Sequence, residues 1–276
     1  MEDEKQREGH IAPYTASKSS DDAPLLNRDP IQTAMVQLKY FGDDRDYFKY
    51  DLITAIITST SLRHYVFIPM LTEHRPDNEG NKIPKVLGGK RTDLLHFIGR
   101  CQNQEKSLSH WKRWLAPHAA SYETVEPVDE TIFSNETRPS YWPKFHSLVE
   151  QANTLVFLDP DTGLQLGRKT KIRKQDWPKY ILDEELVSLA GKLHPTSALL
   201  VYQHLPRNMH THRETLETKI MLAQQLGGMK VSAYREGDLA FIAISKRQQI
   251  QNEIDHVFSE YHDASNHRHK SLHCGN

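Results

Sequence analysis

Ala152-Asn-Thr-Leu-Val-Phe-Leu-Asp-Pro-Asp-Thr-Gly-Leu164 is the stretch whose reading decides the fold. Its apolar run, Thr154 to Leu158, is continuous rather than alternating, as expected of a parallel strand covered on both faces. The run stops at Asp159-Pro160-Asp161, because proline donates nothing to a strand ladder and Gly163 then permits a positive φ. A buried strand therefore delivers two carboxylates to its carboxyl end, the end outside which open α/β sheets place their ligands. The plainer reading of Asp161-Thr-Gly163 is a turn closed by a side-chain hydrogen bond.

Downstream, the same alternation of element types continues. Asp183 to Leu193 reads as a helix and Ser197 to Tyr202 as a second apolar strand, ending at Gln203-His204-Leu-Pro-Arg207. Arg213 to Leu226 is an amphipathic helix closed by Gly227 and Gly228. Met229 to Tyr234 and Leu239 to Ser245 flank Arg235-Glu-Gly-Asp238, a hairpin signal. Helix then runs to about Phe258.

Upstream, Asp43 to Asp46 opens a helix over about 45–60. Phe48, Leu52, Ala55, Ile56 and Ser59 recur there at three- and four-residue steps and predict one buried face, with Lys49 beside Asp46 at i−3. Tyr65 to Ile68 reads as a strand broken at Pro69. Thr92 or Asp93 caps a helix through Ile98, and a second helical stretch with Trp111 and Trp114 ends before Pro117. Tyr122 to Val128 reads as a short strand and Tyr141 to Gln151 as a helix. The three tryptophans 111, 114 and 142 read as packing residues. The densest polar clusters fall at three strand ends, Met70 to His74, Asp159 to Gly163 and Gln203 to Arg207.

The predicted fold is α/β and Rossmann-like: a mostly parallel, doubly wound sheet with a C-terminal antiparallel hairpin. Residues 31–258 form the single domain. Residues 1–30, rich in charge, Ser and Pro, read as a disordered tail, and residues 259–276 as a His-rich flexible tail. His262, His267, His269, His273 and Cys274 lack the partner helix or Cys pair that would fix a metal geometry. The 72–90 segment reads as a polar loop leaving a strand's carboxyl end.

The 276 residues carry 35 basic and 36 acidic side chains, so no overall field advertises nucleic acid or membrane. Two cysteines make no disulfide framework, and no apolar run suits a signal peptide or a membrane span. The expectation is a cytoplasmic or nuclear, non-secreted protein without a membrane partner.

Gly42-Asp-Asp-Arg-Asp46-Tyr-Phe-Lys49-Tyr50 resembles the G-N-x-x-D-x-x-K-H opening motif of the bacterial ribosomal RNA adenine-N6 methyltransferases, with Tyr50 in place of His. Leu158-Asp159-Pro160-Asp161-Thr162 resembles that family's D-P-P-Y segment, and Tyr202 to Pro206 stands where it has a Tyr-Pro pair. A broader similarity extends to the three-Cys-motif partner proteins, which carry an analogous Asp-Pro turn. The resemblance covers residues 38–245. It implies S-adenosylmethionine as cofactor, with Asp46, Lys49 and Thr72 as cofactor-binding residues and Asp159 accepting a hydrogen bond from the target amine. Where the family carries a glycine-rich turn after the first strand, this chain has Pro69-Met-Leu-Thr72.

The leading functional expectation is a divergent methyltransferase-like protein acting on nucleic acid, with Asp159, Asp161 and His204 as catalytic candidates. Lys169, Lys171, Arg173 and Lys174, in the one concentrated basic segment, are the candidates for holding phosphates. An alternative is a metal-dependent hydrolase or nuclease, in which Asp159 and Asp161 hold Mg²⁺ or Mn²⁺. A second alternative is a non-catalytic binding protein on the same fold.

Overall fold

The structure is a computed structural model that describes residues 42–72, 91–102, 104, 107–124, 133–167 and 172–264. The predicted N-terminal tail, all of the 72–90 loop but Thr72, Lys169 and Lys171, and His267, His269, His273 and Cys274 lie outside these residues. In chain order come α1 (Asp44–Ser59), β1 (His64–Pro69), α2 (Thr92–Gln102), α3 (Ser109–Leu115), β2 (Ser121–Thr124), α4 (Arg138–Tyr141), α5 (His146–Val149) and β3 (Thr154–Asp159). There follow β4 (Gly163–Gln165), β5 (Tyr180–Leu182), α6 (Asp183–Lys192), β6 (Ala198–His204), α7 (His212–Gly227), β7 (Lys230–Glu236), β8 (Leu239–Ser245) and α8 (Gln248–Ala264).

Six strands make one sheet in the order β2-β1-β3-β6-β8-β7. The first four are parallel, and β8 runs antiparallel to both β6 and β7. This is the predicted doubly wound sheet with its terminal hairpin. Each strand splits its side chains between two cores. Tyr65, Phe67, Leu155, Phe157, Leu200 and Tyr202 pack with α1, α2, α3 and α8 on one face. Val66, Ile68, Val156, Leu158, Leu199 and Val201 pack with α6 and α7 on the other. Two covered faces are the physical reason that β3 reads as an unbroken apolar run.

The chain leaves β1 toward β2 on one side, and the next strand, β3, lies on the other side of β1. The strand order thus reverses between β1 and β3, whose carboxyl ends meet with Pro69 opposite Asp159. A crevice opens at such a switch point because the connections diverge above it.

Several elements differ from expectation. Helix α1 is buried nearly all round: Tyr47 through Thr54, Ile56 and Ile57 are buried, whereas Ala55 is only partly so and Ser59 is exposed. It lies beneath α2 and α8 as well as against the sheet, so a one-face periodicity does not describe it. The helix expected over 141–151 is two short α-segments joined by a 3₁₀ turn, Trp142–Phe145, because Pro143 removes a donor there. Of the strand expected over 122–128, β2 covers the described part, to Thr124, and 125–128 lie outside the described residues, while β6 extends through Gln203 and His204.

The parallel pair β4–β5 is a small second sheet that the Asp161-Thr-Gly163 signal concealed. A buried carboxylate anchors it. Glu185 takes the Arg138 guanidinium, the Trp142 indole N–H at 2.6 Å and the Leu182 N–H at 2.8 Å. Arg138 donates further to the carbonyls of Trp177 (2.6 Å) and Tyr180 (3.2 Å), so the ion pair is surrounded by the hydrogen bonds that buried charges require.

Candidate active site

Strand parity decides which groups enter the crevice. Residues Phe157 and Asp159 of β3, Tyr202 and His204 of β6, and Phe67 and Pro69 of β1 share the face that α1 covers, while Gln203 points to the opposite face. The first turn of α1 stands over them. Its N-cap is Asp43, whose Oδ1 accepts the backbone N–H groups of Arg45 and Asp46, both at 2.9 Å. Asp46 in turn accepts the Gly42 N–H at 2.9 Å. Gly42 holds φ +80, where a side chain would be strained and would meet Ile98.

The result is a cleft of about 210 Å³. Asp43, Arg45, Asp46, Lys49 and Tyr50 line it from α1, Asp159 to Asp161 from the β3 turn, and Tyr202 and His204 from β6. Phe67, Pro69, Met70 and Leu71 from the end of β1, with Leu108 and Trp111, close the remaining wall. All three predicted strand-end clusters contribute. Of the predicted site residues, Asp159, Asp161, His204, Asp46 and Lys49 come together. Thr72 is buried and is not among the lining residues.

Lys49 is the centre of the cleft. Its Nζ lies 2.9 and 3.0 Å from the two oxygens of Asp159, 3.3 Å from Asp46 Oδ1, and 4.3 Å above the Tyr202 ring. Burial works against its charge, but Asp159 and Asp46 outweigh that and hold its pKa above the ordinary lysine value. For both carboxylates burial dominates and pushes the pKa up, against the pull of Lys49. Asp43 is pushed up to about 6 by burial and then by Asp46. His204 is held down at about 4 by burial, aided by the Arg45 and Lys49 charges, so its imidazole is neutral at pH 7.

The turn after β3 is held from below by Gln203, which is 1 % exposed. Its amide oxygen accepts the Leu164 N–H at 2.9 Å, and its nitrogen donates to the carbonyls of Thr162 (3.0 Å) and His204 (2.5 Å). The His204 N–H also reaches the Thr162 carbonyl at 2.8 Å. Gly163, at φ +130, leaves room for this amide: a Cβ there would lie 2.3 Å from Gln203 Oε1.

Five contributors went unmarked in the sequence. Asp43 and Arg45 lie inside the opening motif, and Tyr202 is two residues from His204 on the same strand face, so motif and parity held the signal. Tyr50 also lies inside that motif, in place of its His, whereas Trp111, stacked on it with ring centroids 3.5 Å apart, carried no such mark and is a cleft wall as well as a packing residue. In the basic segment, Arg173 and Lys174 are exposed, and Arg173 is paired with Asp176 at 2.9 Å.

The ammonium of Lys49 already neutralises Asp159, and among the described residues no group of three or more His, Cys, Asp or Glu is arranged to hold a metal ion. No described helix is long and apolar enough to cross a membrane. No protein-family model matches the chain, and no curated protein matches it in sequence.

Proposed function

We propose that this chain is a divergent S-adenosylmethionine-dependent methyltransferase-like protein whose acceptor docks beside the Asp159–Asp161 turn. The observation that carries the reading is positional: the Asp-Pro turn, the lysine of the opening motif and the β6 end converge at the switch point of a sheet whose second half ends in the reversed hairpin of Rossmann-like methyltransferases.

The residues present fit the cationic end of the cofactor. Carboxylates on Asp43, Asp46 and Asp161, with the aromatic faces of Tyr50, Trp111 and Tyr202, complement a sulfonium and an ammonium. Arg45 at the rim is the cation available to a carboxylate, because Lys49 is already engaged. The turn Pro69-Met70-Leu71-Thr72 departs from the usual mode: the Pro69 carbonyl takes the Tyr141 hydroxyl and the Leu71 carbonyl takes the Phe133 N–H. Side chains of α1 rather than backbone after β1 would therefore hold the group. When bound, adenosylmethionine supplies an electrophilic methyl group.

The protein's own part is positioning, which is most of what methyl transfer asks of it. Lys49 fixes Asp159 bidentately, so Asp159 sets the shape and charge of the cleft floor. Asp161, exposed and without an ion-pair partner among the described residues, is the carboxylate free to accept a proton from the acceptor. His204, neutral, offers a hydrogen-bonding nitrogen at the same wall.

Thermal unfolding of the full chain with S-adenosylmethionine, S-adenosylhomocysteine, Mg²⁺ and Mn²⁺ tests the proposal. A ligand at a hundred times its dissociation constant stabilises by about 2.7 kcal/mol. Stabilisation by the adenosyl ligands is the expected result. Stabilisation by the metals alone, or by none of the four, refutes it.

A further inference from the structure

We propose that Lys219 is a modification site, an amine that takes an acyl group from a small acyl thioester. The inference does not rest on the methyltransferase reading, because α7 covers the face of the sheet opposite the cleft and Lys219 is not among the lining residues.

The first observation is where the lysine stands on its helix. Leu216, Ile220 and Ala223 form the buried stripe of α7, and Lys219 falls three residues after Leu216 and four before Ala223, at the edge of that stripe. Leu222 and Leu226, the next two positions along the same edge, are packed against the core. Lys219 itself is only partly exposed, so a small reagent reaches it although much of the side chain is covered. The alkyl stem suits such a place and the charged end does not.

The second observation is the company that the amine keeps. It donates to the Leu164 carbonyl of β4, whose own N–H is held by Gln203 at 2.9 Å. Lys219 has no ion-pair partner among the described residues. The charged groups of the neighbouring elements are turned to other tasks. On α7, Glu217 is paired with Arg213 at 2.7 Å and Glu214 is exposed. On α6, Asp183 accepts the Gly167 N–H at 3.0 Å, Glu185 takes Arg138, and Glu184 is exposed. On β7, Glu236 accepts the Tyr234 hydroxyl at 2.5 Å, while Lys230 and Arg235 carry the same sign as Lys219. Strand β4 brings no charge at all. An ammonium desolvated without a carboxylate gives up its proton more readily, and burial pushes the Lys219 pKa down to about 8.

The neutral amine is the nucleophile, and about half of Lys219 is neutral at pH 8, against below about 1 % of an ordinary lysine. Its nitrogen adds to the carbonyl carbon of the thioester. The N–C bond forms as the C–S bond breaks, and the thiol leaves with the proton that the amine gives up. The product sheds a charge that had no partner and keeps one N–H for the Leu164 carbonyl, so the acylated chain retains the contact between α7 and β4.

The test is acetylation of the full chain by a limiting amount of the acetyl thioester of N-acetylcysteamine from about pH 7 to 10, followed residue by residue by peptide mass spectrometry. At pH 8, Lys219 should react about fivefold or more faster than the exposed Lys112 and Lys230, and its rate should level off above about pH 8. Thr215→Glu places a carboxylate four residues before the lysine, the spacing and order that pair best on a helix, and should slow the reaction at pH 8 about threefold or more. A Lys219 left unlabelled, labelling no faster than at Lys112 and Lys230, a rate still climbing toward pH 10, or a rate unchanged by Thr215→Glu would each overturn the proposal.

Discussion

Replacing Lys49 by methionine keeps the alkyl stem and deletes the ammonium that lies 2.9 and 3.0 Å from Asp159 and 3.3 Å from Asp46. Removing one partner of a buried ion pair costs about 3–5 kcal/mol, because the remaining charge stays buried without compensation. The side chains of Asp46 and Asp159 are 15 and 22 % exposed, so water reaches both and the lower end applies, about 3 kcal/mol at pH 7. The loss must depend on pH. Both carboxyls already sit above their ordinary pKa, and without Lys49 they rise further. A raised carboxyl contributes stability that is fully present below its unfolded value, near 3.8, and lost as pH rises through its folded value. The variant should therefore be least stable relative to the parent at pH 7 and recover at pH 5 to within about 1–2 kcal/mol of it. Urea unfolding followed by tryptophan fluorescence at the two pH values measures this, and Lys49→Met/Asp159→Asn should be more stable at pH 7 than Lys49→Met alone. A pH-independent deficit, or a loss below about 1 kcal/mol at pH 7, would show that Lys49 does not hold these carboxylates together.

Three further outcomes follow from the site. His204, with a folded pKa of about 4 against an ordinary 6.5, contributes stability present above pH 6.5 and lost as pH falls through 4; over that window the contribution is about 3 kcal/mol, so His204→Gln should flatten the acid side of the stability curve. Urea midpoints at half-unit steps between pH 4 and 7 check it, and parallel curves for parent and variant would contradict it. Gly163→Ala places a Cβ against the Gln203 amide at a φ of +130, and a loss of about 2–3 kcal/mol is expected, partly relieved in Gly163→Ala/Gln203→Ala; a neutral single substitution would mean that the turn is not clamped there. Arg173→Glu/Lys174→Glu should weaken polyanion binding and flatten its salt dependence by roughly 0.7–0.9 for each phosphate no longer neutralised, readable from oligonucleotide affinity across a salt series. An unchanged slope would remove the basic segment from any nucleic-acid surface.

The central strands were legible because two covered faces leave a plain mark: β3 and β6 carry apolar runs punctuated by Pro160 and Pro206. The hairpin β7–β8 announced itself through Gly237-Asp238. Helix α1 misled, since its single-face periodicity assumed one neighbour where the fold supplies the sheet, α2 and α8. The β4–β5 pair was invisible for a different reason. Its strands have only three residues each, too few for a period to show, and their anchor Glu185 is buried through Arg138, 47 positions away. The Lys49–Asp159 contact likewise spans 110 positions, so the sequence marks both residues but not that one neutralises the other's charge.

That contact changes what each acidic residue can do. Two residues apart on one turn, Asp159 and Asp161 both stood as catalytic candidates and as candidate metal ligands. In the folded chain, Asp159 continues the parity of Phe157 and so faces α1, where Lys49 captures it, while Asp161 lies past the proline and stays open to solvent. The same alternation on β6 sends Tyr202 and His204 into the cleft and Gln203 to the other face, where it clamps the turn that carries both acids. A register shift of one residue between β3 and β6 would exchange these roles, placing the amide in the cleft and the imidazole beneath the turn. The pairing of Leu155 with Ala198 through Leu158 with Val201 therefore specifies the chemistry of the cleft as much as it specifies the sheet.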